Sequence, residues 1–278
     1  MVAKKILFIT TEISPYVNDT EMSLIARKLP QGIHDRGKEI RTFMPKFGCI
    51  NERRNQLHEV IRLSGMNLIV NESDHPLVIK VASIQAARMQ IYFIDNEDFF
   101  HRKALLHDEN GEAYEDNDER SIFYVRGVME TIKKLRWIPD LVHCHGWMTA
   151  LAPLYIKTYY KGDPCFKNVK VIYSLYDDEF KRPLRDDFAK KVQIEGITQN
   201  DVEEIRNNPD FVALSKLAMK FSDGIIAGSL NVNPALIEYA QHKKNALFLP
   251  FQSGDTYIDA FDTFYDRLLS EQVNELTS

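Results

Sequence analysis

Lys5-Ile6-Leu7-Phe8-Ile9-Thr10, a polar turn, and an apolar-periodic run over residues 22–36 decide the fold of this 278-residue chain. The hexapeptide shows no polar alternation, so it reads as a strand buried on both faces, the pattern of a parallel sheet. Residues 22–36 read as a helix packed back on that strand. Where such a strand feeds such a helix, the helix N-terminus points its free backbone N–H groups at one spot. Small loop residues then let a phosphate approach. Here the loop is Tyr16-Val17-Asn18-Asp19-Thr20-Glu21, with no glycine and two carboxylates. Asn18, Asp19 or Thr20 can cap the helix and Glu21 can neutralise its dipole, so the anion site is filled from within.

The same strand–helix alternation continues outward. Residues 40–45 read as a second parallel-type strand stopped by Pro45. Residues 60–63, 66–70, 77–83 and 90–95 are strand candidates joined by short links, which predicts an inserted β-hairpin or meander. The acidic stretch 104–119 reads as a surface loop. A helix is expected over 117–134, with Ile122, Val125, Val128, Met129 and Ile132 on one stripe. Strands follow at 140–145, 169–176 and 223–229, and helices at 149–160 and 257–273. The sum is an α/β fold: a Rossmann-like, mostly parallel sheet with flanking helices. One domain over residues 1–255 is expected, with residues 256–278 as a C-terminal amphipathic helix packed on it. Its stripe of Ile258, Phe261, Phe264, Tyr265, Leu268 and Leu269 would serve a homodimer if left uncovered. Ligands of such sheets sit at the carboxyl ends of the strands, after Thr10, Pro45, Asp95, His145, Tyr176 and Ser229.

Composition narrows the function classes. A 44% hydrophobic, 27% charged chain is ordinary globular material. Its net charge of −5 argues against nonspecific nucleic-acid binding, which needs Lys and Arg to neutralise phosphates. Cys49, Cys144 and Cys165 are an odd, widely spaced set with no CxxC, so neither a disulfide framework nor a zinc knuckle is expected. The N-terminal apolar run is too short for a signal peptide and no run reaches membrane-spanning length, which predicts a cytoplasmic protein without membrane association. His143 and His145 lie two apart on a strand and face the same side, a spacing that can clamp a metal. An ordinary strand end is the better reading, and no metal or cofactor is expected. At the same strand end His145 is a candidate binding residue and Trp147 a candidate stacking surface. Asp95, Asn96 and Arg102, just after a strand, are candidates for the same cleft.

Several segments occur in a telling order: residues 6–15 with Glu12 and Pro15, Leu29-Pro30, Arg36-Gly37, Met44-Pro45-Lys46-Phe47-Gly48 and Tyr92-Phe93-Ile94-Asp95-Asn96. Asp116-Asn117, Glu119-Arg120, Pro139-Asp140, His143-Cys144-His145, Trp147, Thr149-Ala150-Leu151 and Pro153 follow. In this order the chain resembles the N-terminal domain of bacterial glycogen synthases and plant starch synthases. That resemblance implies a GT-B glycosyltransferase, in which two Rossmann-like domains face a cleft and glucose passes from ADP-glucose to an α-1,4-glucan end. It also implies that the glucan end and the glucose lie largely against this N-terminal domain.

The chain departs from the family where the chemistry happens. The family's Lys-Thr-Gly-Gly-Leu falls on Asn18-Asp19-Thr20-Glu21-Met22, so a cation and two glycines are lost. Its His-Asp-Trp-His/Gln becomes His145-Gly146-Trp147-Met148, and its Ile-His-Asn becomes Leu175-Tyr176-Asp177. The sequence also stops where the family's second domain would begin. The expectation is a stand-alone N-terminal-domain homologue, non-catalytic alone, binding an α-glucan or a glycogen-metabolism protein. Two rivals remain: one half of a split ADP-glucose-dependent glucosyltransferase, and a ligand-free structural or dimeric protein whose cleft is plugged by its own side chains.

Overall fold

A computed structural model describes residues 3–254 and 256–277. The first half runs β1 (Lys5–Thr10), α1 (Glu21–Asp35), β2 (Glu39–Pro45), α2 (Glu52–Asn55), β3 (His58–Glu59), β4 (Met66–Val70), β5 (Ser73–Ile84), β6 (Met89–Asp95), α3 (Glu97–Phe100) and α4 (Asn117–Leu135). The second half runs β7 (Leu141–His145), α5 (Leu151–Lys157), β8 (Lys170–Leu175), α6 (Phe188–Val192), α7 (Phe211–Lys220), β9 (Gly224–Ala227), α8 (Pro234–His242), β10 (Leu247–Leu249) and α9 (Tyr257–Thr277). The strands form one sheet of order β10-β9-β8-β7-β1-β2-β6-β5-β3, with β4 paired to β5. From β10 to β6 every pairing is parallel, whereas β5, β3 and β4 are joined antiparallel as the inserted meander.

The chain builds outward from β1 in one direction through β2 and β6, then returns to add β7, β8, β9 and β10 on the other side. The order therefore reverses between β1 and β7, and the crevice of an open α/β sheet lies at such a reversal. Register brings Thr10 opposite His145, and His145 opposite Ser174, so the strand ends form one ledge. Tyr124 of α4 pins part of it, its hydroxyl bridging the carbonyls of Thr10 (2.7 Å) and Phe43 (2.9 Å).

Both sheet faces are apolar and both are covered. Helices α4, α5 and α7 lie over the larger core. On the other face Ile6, Phe8, Leu141, Ile172 and Ile226 meet Phe261, Phe264, Tyr265, Leu268 and Leu269 of α9. The stripe on the last helix is thus spent inside the domain. Ion pairs from Lys38 to Asp262 (2.6 Å) and Asp266 (2.9 Å), and from Arg36 to Asp259, hold its solvent side. Within this face His143 shares hydrogen bonds with the Tyr265 hydroxyl (2.6 Å) through Nδ1 and with Ser174 (2.6 Å) through Nε2. With both ring nitrogens engaged by neutral hydroxyls, the His143–His145 metal clamp does not form. No group of three or more metal-ligating side chains exists among the described residues.

Some expectations shift. Residues 60–63 are a turn rather than a strand, and Ile61 there is 82% exposed. Helix α5 ends at Lys157 instead of residue 160, after a 3₁₀ turn at Trp147–Thr149. Helices α6, α7 and α8 and strand β10 have no counterpart in the sequence reading. None of the described helices is long and apolar enough to cross a membrane.

Replacing Tyr265 by Phe strands His143 Nδ1 in a dry interior, a loss of about 1–3 kcal/mol. A lower urea midpoint for Tyr265→Phe with an unchanged m-value is the expected result. An unchanged midpoint would mean that the Tyr265–His143 hydrogen bond adds nothing to the hold on α9.

Candidate functional site

Thr20 caps α1: its Oγ1 accepts the Ser23 N–H (3.0 Å), while Ser23 Oγ accepts the Thr20 N–H (2.8 Å). Serine here takes the place that Glu or Gln fills in most reciprocal capping boxes. The Thr20 hydroxyl also donates to Glu12 (2.5 Å), tying the end of β1 to the start of α1. Burial raises the pKa of Glu12, and this hydrogen bond partly offsets the shift. Glu21 and Met22 follow in the first turn. The thioether methyl of Met22 lies directly on Gly146, which has φ +78°. A Cβ at residue 146 would collide with that methyl and sit 2.6 Å from Asp178 Oδ2.

Asp178 follows β8 and accepts the Trp147 N–H (2.9 Å). Burial pushes its carboxyl up to about 7; the Trp147 N–H opposes that shift, and the nearby Glu12 and Asp177 add to it. These groups border a hollow of about 460 Å³ at the β1–β7 reversal, within the ~300–1,000 Å³ range of small-molecule sites. Five carboxylates line it (Glu12, Glu21, Asp177, Asp178 and Glu179), and among the described residues no lysine or arginine does. Its apolar surface comes from Trp147, Phe180 and Tyr176, with Leu105 and Leu106 from the segment before α4.

That segment is the acidic stretch expected to be a surface loop; residues 109–112 are exposed as expected, and Leu105, Leu106, His107 and Ala113 also wall the hollow. Asp108 accepts the N–H groups of Asn110 (2.8 Å) and Glu112 (2.9 Å), His107 bridges to Ala113, and the Asn117 side chain donates to Leu106 O (2.8 Å). Asp108 is the turn former here, and Leu105 and Leu106 face the hollow.

The sequence candidates separate in space. Trp147, Thr20, Glu21 and Met22 border the hollow. Asn18 contributes a carbonyl to Ser23 Oγ (3.1 Å), and Asp19 is exposed. Asp95, Asn96 and Arg102 are not among its walls. Asp95 is buried against Lys80 (2.9 Å), Asn96 caps α3 through Asp98 N–H (3.0 Å) and Phe99 N–H (3.2 Å), and Arg102 is paired with Asp116. All three are absorbed by structural partners. His145 stands behind the wall: Nδ1 meets the Tyr176 hydroxyl (2.8 Å), Nε2 is buried without a partner, and the ring lies 3.9 Å from that of His143. Burial holds His143 well below the usual imidazole range and pushes His145 down to about 3, so both are neutral at physiological pH. Sequence reasoning missed Asp178, although the run Asp177-Asp178-Glu179 directly after a parallel strand was the available signal.

These titrations oppose one another. The depressed histidines give stability that is complete above about pH 6.5 and lost as pH falls, at most about 1.4 kcal/mol per pH unit for each. Asp178, raised in the fold, gives stability that is complete in acid and lost as pH climbs through about 7. Asp178→Asn keeps the acceptor for Trp147 N–H and removes the second effect. Thermal unfolding of that variant should show a Tm higher by roughly 2–4 °C at pH 8, for about 1 kcal/mol. The gain should be smaller at pH 5, and the loss from pH 7 to 5 steeper than in the parent. Equal shifts at both pH values would contradict a protonated Asp178.

With this geometry in hand, the comparisons are direct. Residues 5–241 match the starch synthase catalytic domain family. The chain is 36% identical over 174 residues to the glycogen synthase of Pelodictyon phaeoclathratiforme and 37% identical over 174 residues to that of Chlorobaculum tepidum. Each alignment covers 62% of this chain and 36% of the relative, so the match spans little more than a third of the length of these enzymes. In fold the chain resembles the catalytic domain of starch synthase IV from Arabidopsis thaliana bound to ADP and acarbose, with a TM-score of 0.72 at 16% identity. That match covers 92% of this chain and 52% of the other. An open parallel sheet with its hollow at the β1–β7 reversal, together with a family match over most of the chain, leads to one placement: the chain belongs to the starch synthase catalytic domain family.

Proposed function

We propose that this chain is a cytoplasmic α-glucan-binding member of its family that does not transfer glucose by itself. One observation carries the reading: the hollow at the ligand crevice is walled by five carboxylates and three aromatic rings, with no lysine or arginine among its described walls. A nucleotide diphosphate entering it meets like charge. At an effective dielectric of about 20, each carboxylate near 4 Å costs about 4 kcal/mol against a unit negative charge. A neutral sugar meets no such penalty, because its hydroxyls donate to carboxylates and its C–H faces pack on aromatic rings. The relatives are glycogen synthases, which makes an α-glucan the natural neutral ligand.

Loss of transfer follows from magnitude. Removing one preorganised electrostatic donor costs about 10²–10³ in rate. Here the family's cation falls on Asn18 and its two glycines on Thr20 and Glu21, and Met22 fills the space over Gly146. A structural protein with a plugged cleft is disfavoured by the open hollow, and by the lack of any ion pair to Glu21 among the described residues. A protein partner from glycogen metabolism remains compatible with the same surface.

Isothermal titration should give binding heat with maltooligosaccharides and none with ADP-glucose. Glu12→Gln, which keeps an acceptor for Thr20, should retain sugar binding, and Trp147→Ala should weaken it about tenfold, or 1.4 kcal/mol. Elongation of glycogen from ADP-glucose, with or without cell extract, would establish the split-transferase alternative instead.

A further inference from the structure

Helices α1 and α9 meet closely at one point. A Cβ at Gly32 would lie 2.7 Å from the Ile258 side chain, and the ion pairs of Arg36 with Asp259 and of Lys38 with Asp262 continue the contact past the end of α1. Nearer the start of α1 the two helices leave a wedge of about 260 Å³. Its α1 wall is Glu21, Leu24, Ile25 and Lys28, a set spaced i, i+3, i+4 and i+7 and hence one helix face. The other walls are Tyr257 and Phe261, one turn apart on α9, Ala227 and Gly228 at the end of β9, and residues 251–254.

These walls are held in place. The Tyr257 and Phe261 rings pack edge to face with centroids 5.8 Å apart. Gln252 turns its side-chain amide onto the carbonyls of Pro250 (2.8 Å) and Phe251 (3.3 Å). Gly254, at φ +76°, takes a left-handed turn shortly before α9. Gly228 lies so close to Tyr176 that a Cβ there would come within 2.7 Å of the ring. Tyr176 also borders the hollow at the strand ends, so its ring stands between the two spaces.

Carbon dominates the wedge, where that hollow is crowded with carboxylates. Leu24 is 39% exposed over the gap, with Ile25, Ala227, Phe251 and Phe261 around it. Lys28 is the one cation among the described walls; it is exposed and makes no ion pair or hydrogen bond among the described residues. Glu21 sits seven residues away on the same face, about 10 Å along the helix, and borders both spaces. A phosphate would want several donors and find one. A sugar would leave most of its hydroxyls against carbon. The volume is just below the ~300 Å³ at which most small-molecule sites begin, too small for a peptide helix. An apolar space with a single free cation suits a small amphipathic monoanion.

We propose that the wedge between α1 and α9 binds a small carboxylic acid with an apolar body. Its carboxylate pairs with Lys28, and its hydrocarbon part lies among Leu24, Phe251 and Phe261. The site is independent of the glucan reading, whose ligand lies on the other side of Tyr176.

Hexanoate, hexanamide and hexylamine share a hydrocarbon chain and differ in charge, and titrating each into the full chain by saturation-transfer NMR tests the site. Hexanoate should bind about fivefold more tightly than hexanamide, the upper range for an exposed ion pair, and the margin should shrink at high salt. Lys28→Gln should remove the margin and leave hexanamide binding unchanged. Leu24→Trp, which fills the wedge, should abolish binding of both. Ser253→Trp, at an exposed position of the wall, serves the same purpose should the first variant fail to fold. Hexylamine binding as well as hexanoate, a margin that survives Lys28→Gln, or binding that survives both tryptophan variants would overturn the site, as would no saturation transfer to any of the three. Displacement of hexanoate by maltotetraose would put it in the hollow at the strand ends, overturning the wedge and leaving the glucan reading intact.

Discussion

Gly146 is wedged between the Met22 methyl and the Asp178 carboxylate, and the character of the site follows from that contact. In an open α/β sheet the turn after the strand at the order reversal faces the ligand, and here it is pressed from both sides by side chains of the same chain. Met22 reaches it because α1 starts at the Thr20 cap, which puts residue 22 in the first helical turn. Asp178 reaches it because the segment after β8 turns back to accept the Trp147 N–H. A side chain at residue 146 would break both contacts and demand an unfavourable φ. The anion-binding geometry of the fold is therefore still present in backbone terms, but its space is taken by a thioether and its field reversed by carboxylates.

Reversing that field matters more than filling the space. Met is flexible and could yield to a ligand at modest cost. Glu12 and Asp178 cannot yield in the same way, because the first is tied to Thr20 and the second to the Trp147 backbone. Protonating Asp178 near neutral pH relieves some repulsion but supplies no positive charge. The sign of its walls is therefore what sets the proposed preference of the hollow for hydroxyls over phosphates.

Much of the frame was legible because its signals are local and repeated. The unbroken apolar run of β1, the periodic stripe of α4 and the stripe of α9 each point to burial without knowledge of the rest. The segment from 177 to 222 was opaque for a physical reason: α6 is five residues long and its surroundings are rich in charge, so burial there depends on pairs such as Arg185–Asp118 that no periodicity reveals. The site divided similarly. Trp147 and the Thr20–Met22 end of the degenerate loop border the hollow because they lie in the β7–α5 and β1–α1 turns, at the carboxyl ends of central strands. Asp95, Asn96 and Arg102 follow a strand of the same sheet, but capping and ion pairing claim them first.

His145 marks where sequence and chemistry part. Its place at the end of a central strand suggests a ligand contact, but Tyr176 occupies Nδ1 and the ring packs against His143 beneath α9. A catalytic histidine needs a pKa near the working pH and a path to the reacting proton. Burial pushes this one down to about 3 and its Nε2 is enclosed, so it is a neutral ring at physiological pH. The proton-exchanging groups near the hollow are instead Asp178 and Glu12, both raised by burial. Burial thus shifts the titration of these two carboxyls in the wall of the hollow, whereas His145, behind it, stays neutral.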